Sequence, residues 1–265
     1  MRLAIEHHTL SAPRARVVVV HGYAEHRGRY AELVARLEER GLECHLFDLR
    51  GHGQSEGSRA HVQRFRDYVD DLHRVAGEVP RDLPLFLLGH SLGGLISLAY
   101  VLAHPETFAA MAVSSPYLGP AFPVPKVQAA LASVATFVAP AMKFDSPLES
   151  RWVSRDPEVV ARYDTDPNVL HVTTPRWYTE VTRAQADVLA HAHEIHTPAL
   201  IIAGGSDAIA DHRLAITLFE RLGTRDKQLR VHPALYHEVF NELADDRETV
   251  IRELVEDLVV ERGVH

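Results

Sequence analysis

Four uninterrupted apolar runs constrain this chain more than any other feature. They are "RVVVVHG" (Arg16 to Gly22), "PLFLLGH" (Pro84 to His90), "FAAMAVSS" (Phe108 to Ser115) and "PALIIAGG" (Pro198 to Gly205). Short runs without polar alternation, rich in branched side chains, read as strands covered on both faces. "LECHLFD" (Leu42 to Asp48) and "KQLRVHP" (Lys227 to Pro233) add two further strand signals. Between the strands lie stretches of helical period. "YAELVARLEERG" puts Leu33, Val34 and Leu37 on one face and stops at Gly41, and another stretch carries Phe65, Val69, Leu72 and Val75. Helices are also expected at about 211–222 and 245–262. Strand and helix in alternation imply an α/β fold with a mostly parallel central sheet flanked by helices.

The rhythm breaks between about Pro116 and His196, which hold nine of the 15 prolines, with helix-like pieces and no convincing strand. A stretch this long is not a loop, so residues 116–196 are expected to form a helical insertion, with 1–115 and 197–265 as the core. Within it Val127, Leu131, Val134 and Phe137/Val138 recur at helical spacing. That apolar face either packs on the core or serves a lipid-like ligand and its interface.

Composition narrows the function. A net charge of -8 argues against nucleic acid, which needs concentrated Lys and Arg. The single cysteine, Cys44, excludes an intrachain disulfide and fits a reducing, cytoplasmic setting. "MRLAIEHHTLSAPRA" lacks the apolar core of a signal peptide, and Val127 to Met142 is too short and too interrupted to span a bilayer.

The chemistry centres on Gly89-His90-Ser91-Leu92-Gly93, between a buried strand and an apolar helix. Gly-x-Ser-x-Gly in that context is a nucleophile elbow: small neighbours let the chain turn sharply and expose the serine at the sheet edge. Serine needs a base, and the base an orienting acid, on loops after later strands. Asp207 lies just past a strand in "GGSDAIAD", while Asp211 sits where it would cap the next helix. Of His232 and His237, the first ends a strand before a proline and the second lies in the loop proper, so Ser91, Asp207 and His237 are the expected triad. The other histidines, among 18, read as structural. His191, His193 and His196 do not align on a helix, His7 and His8 suit a surface, and His52 suits its loop. No metal or other cofactor is expected.

"HGYAEHRGRY", "DLRGHGQSEG", "GHSLGG", "GGSD" and "YHEVFNE" together resemble the monoacylglycerol lipase and lysophospholipase branch of the α/β-hydrolases. The resemblance implies the α/β-hydrolase fold, with a helical cap inserted before the sixth core strand. It implies an oxyanion hole from the Tyr23 and Leu92 N–H groups, with Glu25, Arg29 and His90 near the polar end of the acyl site. The implied activity is hydrolysis of a small lipid-like ester, with transient membrane-interface contact through the cap. Leu92 departs from the branch's usual methionine but keeps the N–H. A related peptidase or thioesterase, or a non-catalytic receptor, stays open, as do acyl length, head group and oligomeric state. Epoxide hydrolases and dehalogenases are disfavoured, because they carry Asp where this chain has Ser91.

Overall fold

The computed structural model describes residues 1–261. Its main sheet is built from β1 (Ile5–His8), β2 (Ala15–Val20), β3 (Leu42–Phe47), β4 (Leu85–His90), β5 (Ala110–Ser114), β8 (Ala199–Gly204) and β9 (Lys227–His232). The spatial order is β1-β3-β2-β4-β5-β8-β9, and every pairing is parallel except β1 with β3. The six expected strands are therefore joined by a seventh at the edge. Ile5–His8 has three polar residues in four and is partly exposed, so it lacks the apolar run that marks its neighbours. Counting it makes Ala199–Gly204 the sixth strand of this sheet in chain order.

Strands β2 to β5 and β8 are buried along their whole length because helices cover both faces. On one face lie α2 (Arg66–Glu78), α3 (Leu92–Ala103), α6 (Pro175–His191) and α7 (His212–Arg221), which contribute Leu72, Ile96, Val181 and Leu218 to one core. On the other lie α1 (Ala31–Glu38) and α8 (Ala244–Val255), which contribute Leu33, Leu37, Ile251 and Leu254 to a second. Each fully buried aliphatic side chain contributes roughly 1.5–3 kcal/mol, so both faces are strongly held. Residue 262, at the end of the last expected helix, lies outside the described residues.

Between β5 and β8 the chain forms α4 (Lys126–Val138), α5 (Pro157–Thr165) and α6. It also forms a small antiparallel ribbon of β6 (Phe144–Asp145) and β7 (Val172–Thr173), which corrects the expectation of no strand there. Two residues per strand leave no readable periodicity. Strands β5 and β8 nevertheless pair directly, Met111 opposite Ala199 and Ser114 opposite Ile202.

The apolar face of α4 does not pack on the core. Val127, Leu131, Val134, Phe137 and Val138 are 62–78% exposed. Ala132 and Ala135 of the same helix, with the Leu131 side chain, border the cavity below.

Candidate active site

The site begins where β4 turns into α3. Ser91 stands at that turn with φ 54° and ψ −116°, a conformation that non-glycine residues adopt at a cost of about 1–3 kcal/mol and that clusters at functional sites. The turn is tight enough to dictate its neighbours. A Cβ on Gly89 would lie 2.3 Å from Ser97 Oγ, and one on Gly93 2.0 Å from the Val20 carbonyl oxygen. The Leu92 N–H opens α3 and is among the donors a helix leaves without an internal acceptor.

Two later loops complete a hydrogen-bonded chain. His237, after β9, places Nε2 2.8 Å from Ser91 Oγ. Its Nδ1 donates to Asp207 Oδ2 at 2.7 Å, from the loop after β8. The second oxygen of Asp207 accepts the Ile209 and Ala210 N–H groups at 2.7 and 2.9 Å, so the carboxylate cannot swing. All three side chains are buried. Burial works against the imidazolium, but the charge and hydrogen bond of Asp207 outweigh it and raise His237 above its ordinary pKa.

The structure separates the competing residues. Asp211 accepts from the Arg213 N–H at 3.0 Å and caps α7. His232 pairs with Glu253 at 3.0 Å, away from Ser91. His52 is buried, with Nδ1 on the Arg50 carbonyl. His191, His193 and His196 are exposed at the end of α6 and beyond it. Among the described residues no three His, Cys, Asp or Glu side chains are grouped to hold a metal ion.

Tyr23, Glu25 and His90 border the same cavity as Ser91, whereas Arg29 lies behind that wall. His90 donates or accepts at Ser114 Oγ (3.0 Å), and its ring packs 4.8 Å from that of His237. Burial, and then the neighbouring His237, hold His90 well below its ordinary pKa, so it is neutral. Glu25 accepts from the Gly22 N–H and from the Tyr30 hydroxyl (2.8 Å). Burial and then the charge of Glu238 push it up to about 7. Arg29 bridges the two carboxylates, 2.5 Å from Glu238 and 3.6 Å from Glu25, with its guanidinium carbon 5.0 Å above the Tyr163 ring.

The cavity above Ser91 measures about 540 Å3 and is walled mainly by apolar side chains, including Leu131, Phe144, Leu148 and Ile209. Sequence reasoning missed Glu238, Tyr163 and Trp177. Glu238 was discoverable as the neighbour of His237. The two aromatics sit in the insertion with no motif around them, and only the fold brings them to the site.

A family model described as "Serine aminopeptidase, S33" matches residues 11–244. The chain belongs to this α/β-hydrolase family. Within it, the hydrolase falls in the branch of the monoacylglycerol lipases. It is 37% identical to a monoacylglycerol lipase of Mycolicibacterium smegmatis over 87% of this chain and 83% of that one. It is 30% identical to the phospholipase YtpA of Bacillus subtilis over 91% and 93% of the two chains. Its fold superposes on the crystal structure of a monoacylglycerol lipase of Paleococcus ferrophilus with a TM-score of 0.91, at 31% identity over 99% of this chain and 100% of that one. The hydrolase has no helix, among the described residues, long and apolar enough to cross a membrane.

Proposed function

We propose that the protein is a serine carboxylic ester hydrolase acting on monoacylglycerols or lysophospholipids, with residues 116–196, whose α6 also covers the sheet, supplying the cap that selects the ester. The observation that carries this reading is the unbroken Ser91–His237–Asp207 hydrogen-bond chain opening into a largely apolar cavity. The relatives named for monoacylglycerol and phospholipid substrates support the lipid class.

In the proposed mechanism His237 Nε2 takes the Ser91 proton as Oγ attacks the ester carbonyl, and Asp207 holds the imidazole in the tautomer that allows it. The Tyr23 and Leu92 N–H groups face the developing oxyanion, each such donor being worth roughly 3 kcal/mol. His237 then protonates the leaving alcohol, and water cleaves the acyl-enzyme by the same route reversed. Glu25 and His90 form the polar end of the cavity, with Arg29 setting their charge from behind. An aminopeptidase reading would need a free carboxylate for the substrate amine. Arg29 balances one of the two carboxylates Glu25 and Glu238, and the Glu25 pKa, pushed up to about 7 by burial, leaves that carboxyl partly protonated near neutral pH, which favours the ester.

The outward apolar face of α4 suits a transient contact with a lipid surface, bringing the cavity mouth to its substrate. Ser91→Ala should abolish hydrolysis of p-nitrophenyl butyrate and of monooleoylglycerol with the fold intact by circular dichroism. Retained turnover would remove Ser91 from the mechanism.

A further inference from the structure

The loop that follows β2 carries the Tyr23 N–H, and that loop is fastened to the insertion as well as to the core. The Gly22–Tyr23 peptide is held at its carbonyl by His21 Nδ1 at 2.8 Å, while His21 Nε2 accepts from the Leu49 N–H at 2.9 Å. From Tyr23 onward partners in the insertion join those in the core, where Glu25 accepts from the Tyr30 hydroxyl and the Tyr23 ring meets that of His52. The Tyr23 hydroxyl donates to the Val172 carbonyl in β7, and the Tyr23 ring lies 3.9 Å from the Trp177 ring in α6. The Leu170 N–H donates to the Ala24 carbonyl at 2.9 Å. His26 Nε2 meets Asp166 Oδ2 at 2.8 Å.

Ala24 makes this arrangement informative. It is fully buried with φ 66°, a left-handed conformation that costs an alanine free energy and persists only where the surroundings impose it. Its carbonyl is satisfied by a residue of the insertion, so the insertion helps hold the loop in its strained form. A loop freed from that hold has a lower-energy backbone to relax toward, which would loosen the Tyr23 N–H beside it.

We propose that residues 166–177 act as a latch on the oxyanion loop, with the Tyr23 side chain as the positioning group through which the insertion sets the Tyr23 N–H. The inference rests on the hydrolase reading above and adds to it that the cap tunes the chemical step as well as substrate choice. Displacing the insertion from the loop would lower turnover without altering the Ser91–His237–Asp207 chain.

Tyr23→Phe tests this, because it keeps the ring against Trp177 and deletes only the hydroxyl. On a soluble short-chain ester, kcat should fall about tenfold, a fraction of what loss of a whole oxyanion donor costs, with KM within about twofold. The inhibition constant of a trifluoromethyl ketone, whose adduct carries an oxyanion, should rise by the same factor as kcat/KM falls. Asp166→Asn, on a more exposed side of the latch, should move both quantities in the same direction by less. Unchanged kcat and inhibition constant in Tyr23→Phe would overturn the latch, as would a loss of activity matched by an equal loss of folded protein in thermal unfolding. Ser91→Ala is assayed alongside: an inactive Ser91→Ala leaves the hydrolase reading standing whatever Tyr23→Phe does, whereas an active one overturns that reading and the latch with it.

Discussion

Asp207 reaches His237 Nδ1 with one oxygen at 2.7 Å while its other oxygen is fixed by two backbone N–H groups. The carboxylate is thus locked before it meets the imidazole, and it is the charge of this group that raises the His237 pKa. Asparagine at this position would keep the size but lose the charge and favour the wrong tautomer.

Asp207→Asn should therefore lower kcat by about 10⁴, as loss of the orienting acid does in serine hydrolases generally. The pH profile carries a second signature. The base must be neutral, so kcat/KM in the wild type should fall as pH drops through a value above the ordinary 6.5, and Asp207→Asn should move that limb downward. The stability sign is the usual one for a raised histidine. Stabilisation from the pair is complete below 6.5 and fades as pH rises through the elevated value. A limb at or below 6.5 in the wild type would contradict the geometry.

Glu25 has its pKa shifted upward, the opposite of the usual shift for a paired carboxylate. Its folded pKa is raised from 4.5 to about 7, so the folded state holds the proton more tightly than the unfolded chain. Stability is favoured below 4.5 and declines as pH rises through about 7. Glu25→Gln removes this dependence. Urea unfolding of variant and wild type at pH 5 and pH 8 should show the variant gaining relative stability at the higher pH. A difference independent of pH would contradict the assignment.

The outward face of α4 offers a separable test. Replacing Val134, Phe137 and Val138 together by serine removes three exposed apolar side chains and leaves Leu131, Ala132 and Ala135 on the cavity. At roughly 1 kcal/mol per inserted side chain, binding to phosphatidylcholine–phosphatidylglycerol vesicles should weaken about a hundredfold. Hydrolysis of a dissolved short-chain ester should stay within about twofold. Undiminished co-sedimentation with the vesicles would show that another surface makes the contact.

Gly93→Ala addresses the elbow's packing. The added methyl would meet the Val20 carbonyl oxygen at 2.0 Å, a contact only backbone movement can relieve. Destabilisation of about 3 kcal/mol or more is expected in thermal or urea unfolding. The same change at Gly77, whose neighbourhood is open and whose place is the last turn of α2, should stabilise by about 0.5 kcal/mol or less.

The parts of this molecule legible in its sequence are those where one local pattern has one physical solution. The apolar runs at β2, β4, β5 and β8 have to be covered on both faces, and they are. Gly89 and Gly93 around Ser91 announce a turn that side chains would block. Asp211 declares itself as a cap by standing one residue before α7. What was not legible depends on tertiary placement. Glu6 and His7 do not signal an edge strand, because an edge needs no apolar run. The period of α4 revealed an apolar face but not its direction, since periodicity is the same whether a stripe points inward or outward. Tyr163 and Trp177 reach the site only because the insertion folds back over the loop after β2.

The direct pairing of β5 with β8 has an evolutionary reading. The chain leaves the sheet after Ser114 and re-enters at Ala199 on the adjacent strand, so the sheet's hydrogen bonds close beneath everything in between. Such a seam is a natural graft point: the part of the excursion that precedes α6 can be exchanged there without re-registering a strand, while α6 must stay to cover the sheet with Val181, Ala184 and Val188. Under the latch proposed above, a replacement must also offer bonds to Tyr23, Ala24 and His26. A transplanted insertion that keeps α6 but omits those bonds is then expected to leave the sheet intact and turnover low.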